Sequence, residues 1–317
     1  MARKSPKATE QRNPRTRGLS AKSASEIVRA IHREDVSVAK AVAKALPEIS
    51  RAVEALVNAL NSGGRIFYIG AGTSGRLAAL DAAELPPTFG TAPRLVQAVI
   101  AGGRRALTGA VEGAEDNRSQ GARDLAARGL LANDAVVCIA ASGSTPYVLG
   151  ALEFANRKGC ATIGITSNPG TPITRIAQIS IVTPTGPEPI TGSTRMKAGT
   201  SQKMVLNMLS TAAMVRRGRV YDNWMIAVAL TNRKLRERGL RILMEASGAT
   251  VADATRALRL SGHDMGVAFI ILKTGASAQQ ARKRLRDTNG NVHDAIQSAK
   301  QDAGGPRSAR GATPAHG

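Results

Sequence analysis

Aromatic side chains make up only 3% of the chain, too few for the stacking platforms that hold single-stranded nucleic acid. No run of about 18 apolar residues occurs, so no membrane-spanning helix is expected. The opening MARKSPKATEQRNPRTRG lacks the apolar stretch of a secretory signal, and the expected location is cytoplasmic. Cysteine is scarce as well. Cys138 and Cys160 lie in apolar segments, cannot form a zinc quartet, and are expected as buried thiols. Acidic residues number 23 against 44 basic ones, a formal charge of +21. That excess raises nucleic acid, membrane surfaces and anionic metabolites as partners. Much of it is peripheral, however, in Lys7, Arg12, Arg15 and Arg17 at one end and Arg282 to Arg310 at the other. With no zinc-finger or RNA-recognition signature, neither a specific nucleic acid nor a membrane is expected as partner, and both ends read as solvated tails.

What is present is a chain of 317 residues, 43% hydrophobic, long enough to bury about 75% of its unfolded surface. Residues 1–22 read as a basic, largely disordered arm and 301–317 as a disordered Pro/Gly-rich tail. Over 23–60 the apolar residues from Ile27 to Leu60 recur at three- and four-residue spacings, which predicts two amphipathic helices. The next segment, 61–240, changes rhythm. Short β-rich runs at 65–70, 95–100, 134–141, 161–166 and 179–183 alternate with helical stretches at 74–85, 119–130 and 145–157. Runs buried on both faces predict a parallel sheet in a doubly wound α/β sandwich, with its ligand crevice beyond the carboxyl ends of the strands. A long helix follows through Val215, then a further one from about Trp224 to Arg238. Residues 241–300, broken at Gly248, Gly262, Gly275 and Gly290, read as a small helical domain.

Two strand-to-helix turns carry the chemistry. RIFYIG runs into Ala71, Gly72, Thr73, Ser74, Gly75 and Arg76, and DAVVCIAA runs into Ser142, Gly143, Ser144, Thr145 and Pro146. Glycines let backbone approach a ligand, and a helix start with its free amides favours an anion. Neither turn is a Walker A or a GxGxxG, so a phosphomonoester without a nucleotide is the expected ligand. The plainer alternative is a tight turn in which Ser74 only caps a helix. His32, His263, His293 and His316 are scattered, show no metal-binding or triad spacing, and read as structural.

GAGTSGRLAALDAAELPPTFG (70–90), VEGAED (111–116), AASGSTPY (140–147) and TGPEPITGSTRMKAGTSQKMVLNMLSTAAM (185–214) closely resemble the N-acetylmuramic acid 6-phosphate etherases, a family of the sugar isomerase (SIS) fold. TEQRNP (9–14) and TNRKLRERGLRIL (231–243) extend the match to nearly everything between residues 9 and 300. The resemblance implies cleavage of the D-lactyl ether of N-acetylmuramic acid 6-phosphate to N-acetylglucosamine 6-phosphate and D-lactate, by elimination and then water addition. It implies no metal and no organic cofactor. It also implies Glu84 as the acid that protonates the departing lactate oxygen and Glu115 as the base. A carbon acid needs a base and an alkoxide leaves poorly unless protonated, so loss of either should cost about 10²- to 10⁴-fold.

Pro86 and Pro87 are expected to end the helix just after Glu84. That would leave its carboxyl in the last turn, where the helix dipole disfavours the charged form. Glu112 and Asp116 crowd Glu115 and read as capping or solvated groups. The resemblance further nominates Thr73, Ser74, Gly75, Ser142, Gly143, Ser144 and Thr145 for the sugar phosphate, with Glu188, Ser193, Thr194 and Lys197 lining the same crevice. Arg195 and Lys197 could equally serve in salt bridges. Family members commonly carry arginine where this chain has Ser144, which removes a cationic contact. If the helix is regular, Ser74 and Glu84 stand about 15 Å apart, so a homodimer with its site at the subunit interface is expected. Two other readings use the same fold: a non-catalytic sugar-phosphate sensor that regulates a partner, and a sugar-phosphate isomerase. Retention of both glutamates favours the lyase.

Overall fold

The computed structural model describes residues 7–303. By backbone contacts the chain divides into two units, one of residues up to Pro86 with Thr91–Ala213, the other of Pro87–Gly90 with the chain from Met214 on. The first unit opens with α1 (Ala24–Ala43) and α2 (Leu46–Asn61). Ser23 and Glu26 form a reciprocal capping box at the start of α1, which satisfies amides that have no intrahelical partner. Both helices lie where the apolar spacing predicted them.

The sheet comprises β1 (Ile66–Gly70), β2 (Val96–Ile100), β3 (Ala135–Ile139), β4 (Ala161–Thr166) and β5 (Ile179–Val182), all parallel in the order β2-β1-β3-β4-β5. Every residue of β1 and β3 is buried, which is why these strands read as continuous apolar runs rather than alternating ones. Around the sheet run α3 (Gly72–Phe89), α4 (Arg118–Ala127), α5 (Pro146–Arg157), the short α6 (Pro172–Ile176) and α7 (Lys197–Arg216). With the order β2-β1-β3-β4-β5, the connection out of β1 runs to one side of the sheet and the connection out of β3 to the other. A crevice opens there, beyond the strand ends.

Several expectations are corrected. First, α3 does not stop before Pro86 but continues to Phe89. A proline costs a helix one backbone hydrogen bond and crowds the carbonyl four residues back, but the extra turn is held by the burial of Leu85 and Phe89 on one face. Second, residues 7–22 are folded rather than disordered. Three short 3-10 turns span Ala8–Glu10, Pro14–Thr16 and Leu19–Ala21, and Thr9, Asn13 and Thr16 are buried. Their polar groups are satisfied by the domain: Asn168 Nδ2 donates to Thr9 Oγ1 (3.0 Å), Asn13 Nδ2 to Pro187 O (3.1 Å) and Thr16 Oγ1 to Pro189 O (2.8 Å). Residues 1–6, including Arg3 and Lys4, lie outside the described residues.

The third correction concerns the helix expected from Trp224. Tyr221 and Trp224 instead form an isolated antiparallel bridge around Asp222, whose φ of 52° no helix accommodates. Helix α8 (Arg233–Ser247) starts only after Asn232, whose side chain accepts from Leu235 N (2.9 Å).

In the second unit α8 is followed by α9 (Val251–Leu260), α10 (Met265–Thr274), α11 (Ala278–Asp287) and α12 (Val292–Ala303). Phe269, Leu243, Ala268 and Ala295 lie at the centre of its own apolar core. The limit drawn at residue 240 from sequence falls inside α8 and inside this second unit. Helix α12 also carries ordered structure past residue 301, where a disordered tail was expected, and residues 304–317, with Arg307, Arg310 and His316, lie outside the described residues. No helix among the described residues is long and apolar enough to cross a membrane.

Candidate active site

Where β1 turns into α3, backbone packs on backbone. A Cβ on Gly70 would stand 2.6 Å from Gly75 N, and one on Gly75 would stand 2.4 Å from Ile100 Cγ1. Only glycine at both positions lets the first turn of α3 sit against the ends of β1 and β2. Thr73 and Ser74 are thereby brought to α7: a Cβ on Gly199 would lie 3.4 Å from Thr73 Cγ2 and 3.5 Å from Thr194 O, and Ser74 Oγ donates to Gln202 Oε1 (2.9 Å). Gln202 Nε2 is buried with no hydrogen-bond partner, as are Ser167 Oγ just beyond β4 and Thr185 Oγ1 just beyond β5. Unpaired buried polar atoms are costly and uncommon, so these mark the carboxyl end of the sheet as polar and under-satisfied.

Between β2 and α4 the chain makes a 3-10 turn at Gly103–Leu107 and another at Ala114–Asp116 that carries Glu115. Arg76, in the first turns of α3, donates from Nε to Ala106 O (2.9 Å) and from its guanidinium to Gly109 O (2.7 Å). This arginine fastens the Glu115 loop to the β1 turn, a role that its place in GTSGR does not disclose. The resulting cleft has a volume of about 240 Å³, and Ala71, Gly72, Arg76, Glu112 and Glu115 are among the residues lining it. The three crowded carboxylates are thus sorted. Glu112 and Glu115 face the cleft, whereas Asp116 is not part of its lining.

The Ser142–Thr145 turn lies beyond β3, next to β1 in the sheet. Gly143 has a φ of 66°, a conformation open to glycine, and a Cβ there would meet Thr171 Oγ1 at 2.1 Å. Ser142 Oγ accepts from Ser144 N (3.3 Å), and Ser144 Oγ lies 3.4 Å from it. Thr145 precedes α5 without capping it through its side chain, and Pro146 takes the first helical position. Ser142, Ser144 and Thr145 are partly exposed. Ser193 and Thr194, also partly exposed, lie just before α7.

Two nominated residues are engaged elsewhere. Glu188 caps α7, its carboxylate accepting from Lys197 N (2.8 Å) and Ala198 N (3.0 Å). Burial pushes this carboxyl upward, with the two amides opposing. Lys197 is fully buried, and its ammonium donates to Glu34 Oε2 (2.7 Å) on α1. Glu34 also accepts from Asn13 Nδ2 (2.8 Å) and from the Arg15 guanidinium (2.9 Å). Those donors, led by Arg15, hold its carboxyl at about 2. This buried cluster joins the N-terminal segment, α1 and α7. Of the two readings for Lys197, the salt bridge describes this structure.

Glu84 is exposed on α3. With the helix continuous from Gly72 to Phe89, Glu84 stands about 15 Å along the axis from Ser74, away from the end that forms the cleft. It is also not in the last turn, so the helix-end argument for its role as an acid lapses. Leu80, one turn before it, is a large apolar side chain left 46% exposed.

The glucokinase regulatory protein N-terminal SIS domain family matches residues 48–156, and the SIS domain family matches residues 124–212. The chain is 50% identical over 290 residues to the N-acetylmuramic acid 6-phosphate etherase of Enterobacter sp. (strain 638), covering 92% of this chain and 98% of that one. It is 47% identical over 290 residues to the N-acetylmuramic acid 6-phosphate etherase of Geobacillus thermodenitrificans (strain NG80-2), again with 92% and 98% coverage. Among solved structures, a phosphoheptose isomerase from Francisella tularensis shares the fold, with a TM-score of 0.51, 20% identity, and coverage of 61% of this chain and 100% of that chain.

Proposed function

The chain belongs to the N-acetylmuramic acid 6-phosphate etherase family, and we propose that it performs its reaction in the cleft between the β1 turn and the Glu115 loop, in the cytoplasm. The activity is a lyase reaction, release of D-lactate from the C3 ether of N-acetylmuramic acid 6-phosphate to leave N-acetylglucosamine 6-phosphate. Ring opening exposes an aldehyde at C1, which acidifies the C2 proton. Glu115 takes that proton, the C3–O bond breaks, and the departing lactate oxygen receives a proton from Glu84. Water then adds across the double bond at C3. Matched acid and base groups each contribute about 10²- to 10⁴-fold to such a step.

The observation that carries this assignment is the placement of Glu115 in the wall of a cleft at the carboxyl ends of β1 and β2. The hydroxyls of Thr73, Ser74, Ser142, Ser144 and Thr145 take the 6-phosphate, on turns that Gly75 and Gly143 shape while their own amides donate to Ala71 O and Ala140 O. Ser193 and Thr194, just before α7, are assigned to the same sugar-phosphate crevice. Glu84 reaches the reaction from a second copy of the chain. The roughly 15 Å along α3 and the exposed Leu80 beside it support a homodimer in which each site uses both protomers.

Lactate release in H₂¹⁸O tests the chemistry: label belongs at C3 of the product sugar and not in lactate. Label in lactate would refute elimination and hydration. Lactate-free proton exchange at C2 would favour an isomerase. Glu84→Gln and Glu115→Gln should each lose about 10²- to 10⁴-fold in kcat. Co-refolded mixtures of the two should regain activity, because a mixed dimer holds one site with both glutamates. Mixtures no more active than either variant would refute sharing between protomers.

A further inference from the structure

The Ser142–Thr145 turn carries hydroxyls but no cation of its own, since AASGSTPY contains neither lysine nor arginine. A dianionic phosphate held only by neutral donors would bind weakly, because hydrogen bonds from charged donors are about twice as strong as neutral ones. The charge arrives from a distant part of the chain. Lys7, at the start of the folded N-terminal segment, extends its ammonium to Ser144 Oγ across 137 residues of sequence.

That placement is not a chance contact of a loose end. Two residues on, Thr9 is fully buried, its amide donating to Asn168 Oδ1 (3.4 Å) and its hydroxyl accepting from Asn168 Nδ2 (3.0 Å). The same Asn168 amide donates to Ala141 O (2.9 Å), the residue immediately before Ser142. Farther along, Asn13 and Arg15 are bound to buried Glu34. The segment is therefore strapped over the carboxyl ends of β3 and β4, and half-buried Lys7 is the first of its described residues.

We infer that Lys7 is a substrate-binding residue that supplies the positive charge for the 6-phosphate at the Ser142–Thr145 turn. The inference rests on the proposed placement of the phosphate at this turn. On phosphate binding the ammonium exchanges its Ser144 hydroxyl for a phosphate oxygen, while Ser144 Oγ turns to donate to the same group. No bond is made or broken in this step. The N-terminal segment is then part of the site, and the basic residue counted among peripheral charge determines the preference for a phosphorylated sugar.

The test is steady-state kinetics of lactate release with Lys7→Met and Lys7→Arg, together with competitive inhibition by inorganic phosphate, N-acetylglucosamine 6-phosphate and unphosphorylated N-acetylglucosamine. Lys7→Met should raise KM and the inhibition constants of both phosphorylated inhibitors about tenfold to a hundredfold. The effect falls on KM rather than kcat, leaves inhibition by N-acetylglucosamine unaltered, and is largely reversed in Lys7→Arg. Unchanged inhibition by inorganic phosphate in Lys7→Met would overturn the inference. So would an equal loss for phosphorylated and unphosphorylated inhibitors, which would assign Lys7 to holding the strap. A parallel Ser142→Ala, Thr145→Val variant separates the two levels. If it raises the phosphate constants and Lys7→Met does not, only the role of Lys7 falls. If it leaves them unchanged, the phosphate is not held at this turn and the site assignment falls with it.

Discussion

Replacing Glu34 by glutamine keeps the shape of the buried cluster and removes the carboxylate that pairs with the Lys197 ammonium. Glu34 is 1% exposed and faces Lys197, which is 0% exposed. In the unfolded chain its carboxyl titrates near 4.5, in the folded protein at about 2. A folded value below the unfolded one adds stability that is fully present above about pH 4.5 and is lost as pH falls toward 2. At pH 7 that contribution is roughly 3 kcal/mol, and at pH 3 roughly 1 to 2 kcal/mol. Glu34→Gln also leaves the Lys197 ammonium buried without its counter-charge, so the total loss at pH 7 should be about 3–5 kcal/mol. Arg15, 68% exposed at its side chain, adds little to this sum because water screens it.

Urea unfolding of both proteins from pH 7 to pH 3 measures the effect. The gap between them should narrow by about 2 kcal/mol on acidification. The double variant Glu34→Gln, Lys197→Met should be more stable than Glu34→Gln alone, since the Lys197 ammonium is then no longer buried without the Glu34 carboxylate. A gap below about 1 kcal/mol at pH 7, or one that stays constant down to pH 3, would refute the reasoning.

Two further outcomes are expected. Arg76→Ala frees the carbonyls of Ala106 and Gly109 and loosens the Glu115 loop. It should reduce kcat for lactate release by about 10- to 100-fold, a loss of about 1.4 to 2.7 kcal/mol in transition-state stabilisation, with little change in Tm; full activity would remove Arg76 from the positioning of the base. Both cysteines are buried, which pushes the Cys160 thiol up to about 11 and that of Cys138 higher still. A thiol reagent at pH 8 should therefore label neither in the native protein and both after denaturation, and rapid native labelling would contradict the buried placement.

Much of the fold could be read along the chain. A strand buried on both faces must be apolar throughout, and a helix with one buried face must repeat near 3.6 residues, so β1 to β5, α1 and α2 announced themselves. Where packing competes with local preference, the sequence misled. Pro86 and Pro87 should stop a helix, but the burial of Leu85 and Phe89 carries α3 onward. The basic N-terminal segment has the composition of a disordered arm, but its Thr9, Asn13 and Thr16 are buried against partners about 160 to 175 residues away.

The site divides in the same way. Glycine turns after β1 and β3, and the glutamates nominated by motif, are local properties of the chain, and sequence alone determined them. The sorting of Glu112 and Glu115 from Asp116, the tether from Arg76, the Glu34–Lys197 pair and the reach of Lys7 to Ser144 exist only once the sheet is assembled. Each joins elements that sequence spacing does not relate. A charge or a hydrogen bond acts over a few ångströms of space, and only the tertiary structure sets which residues stand within that range.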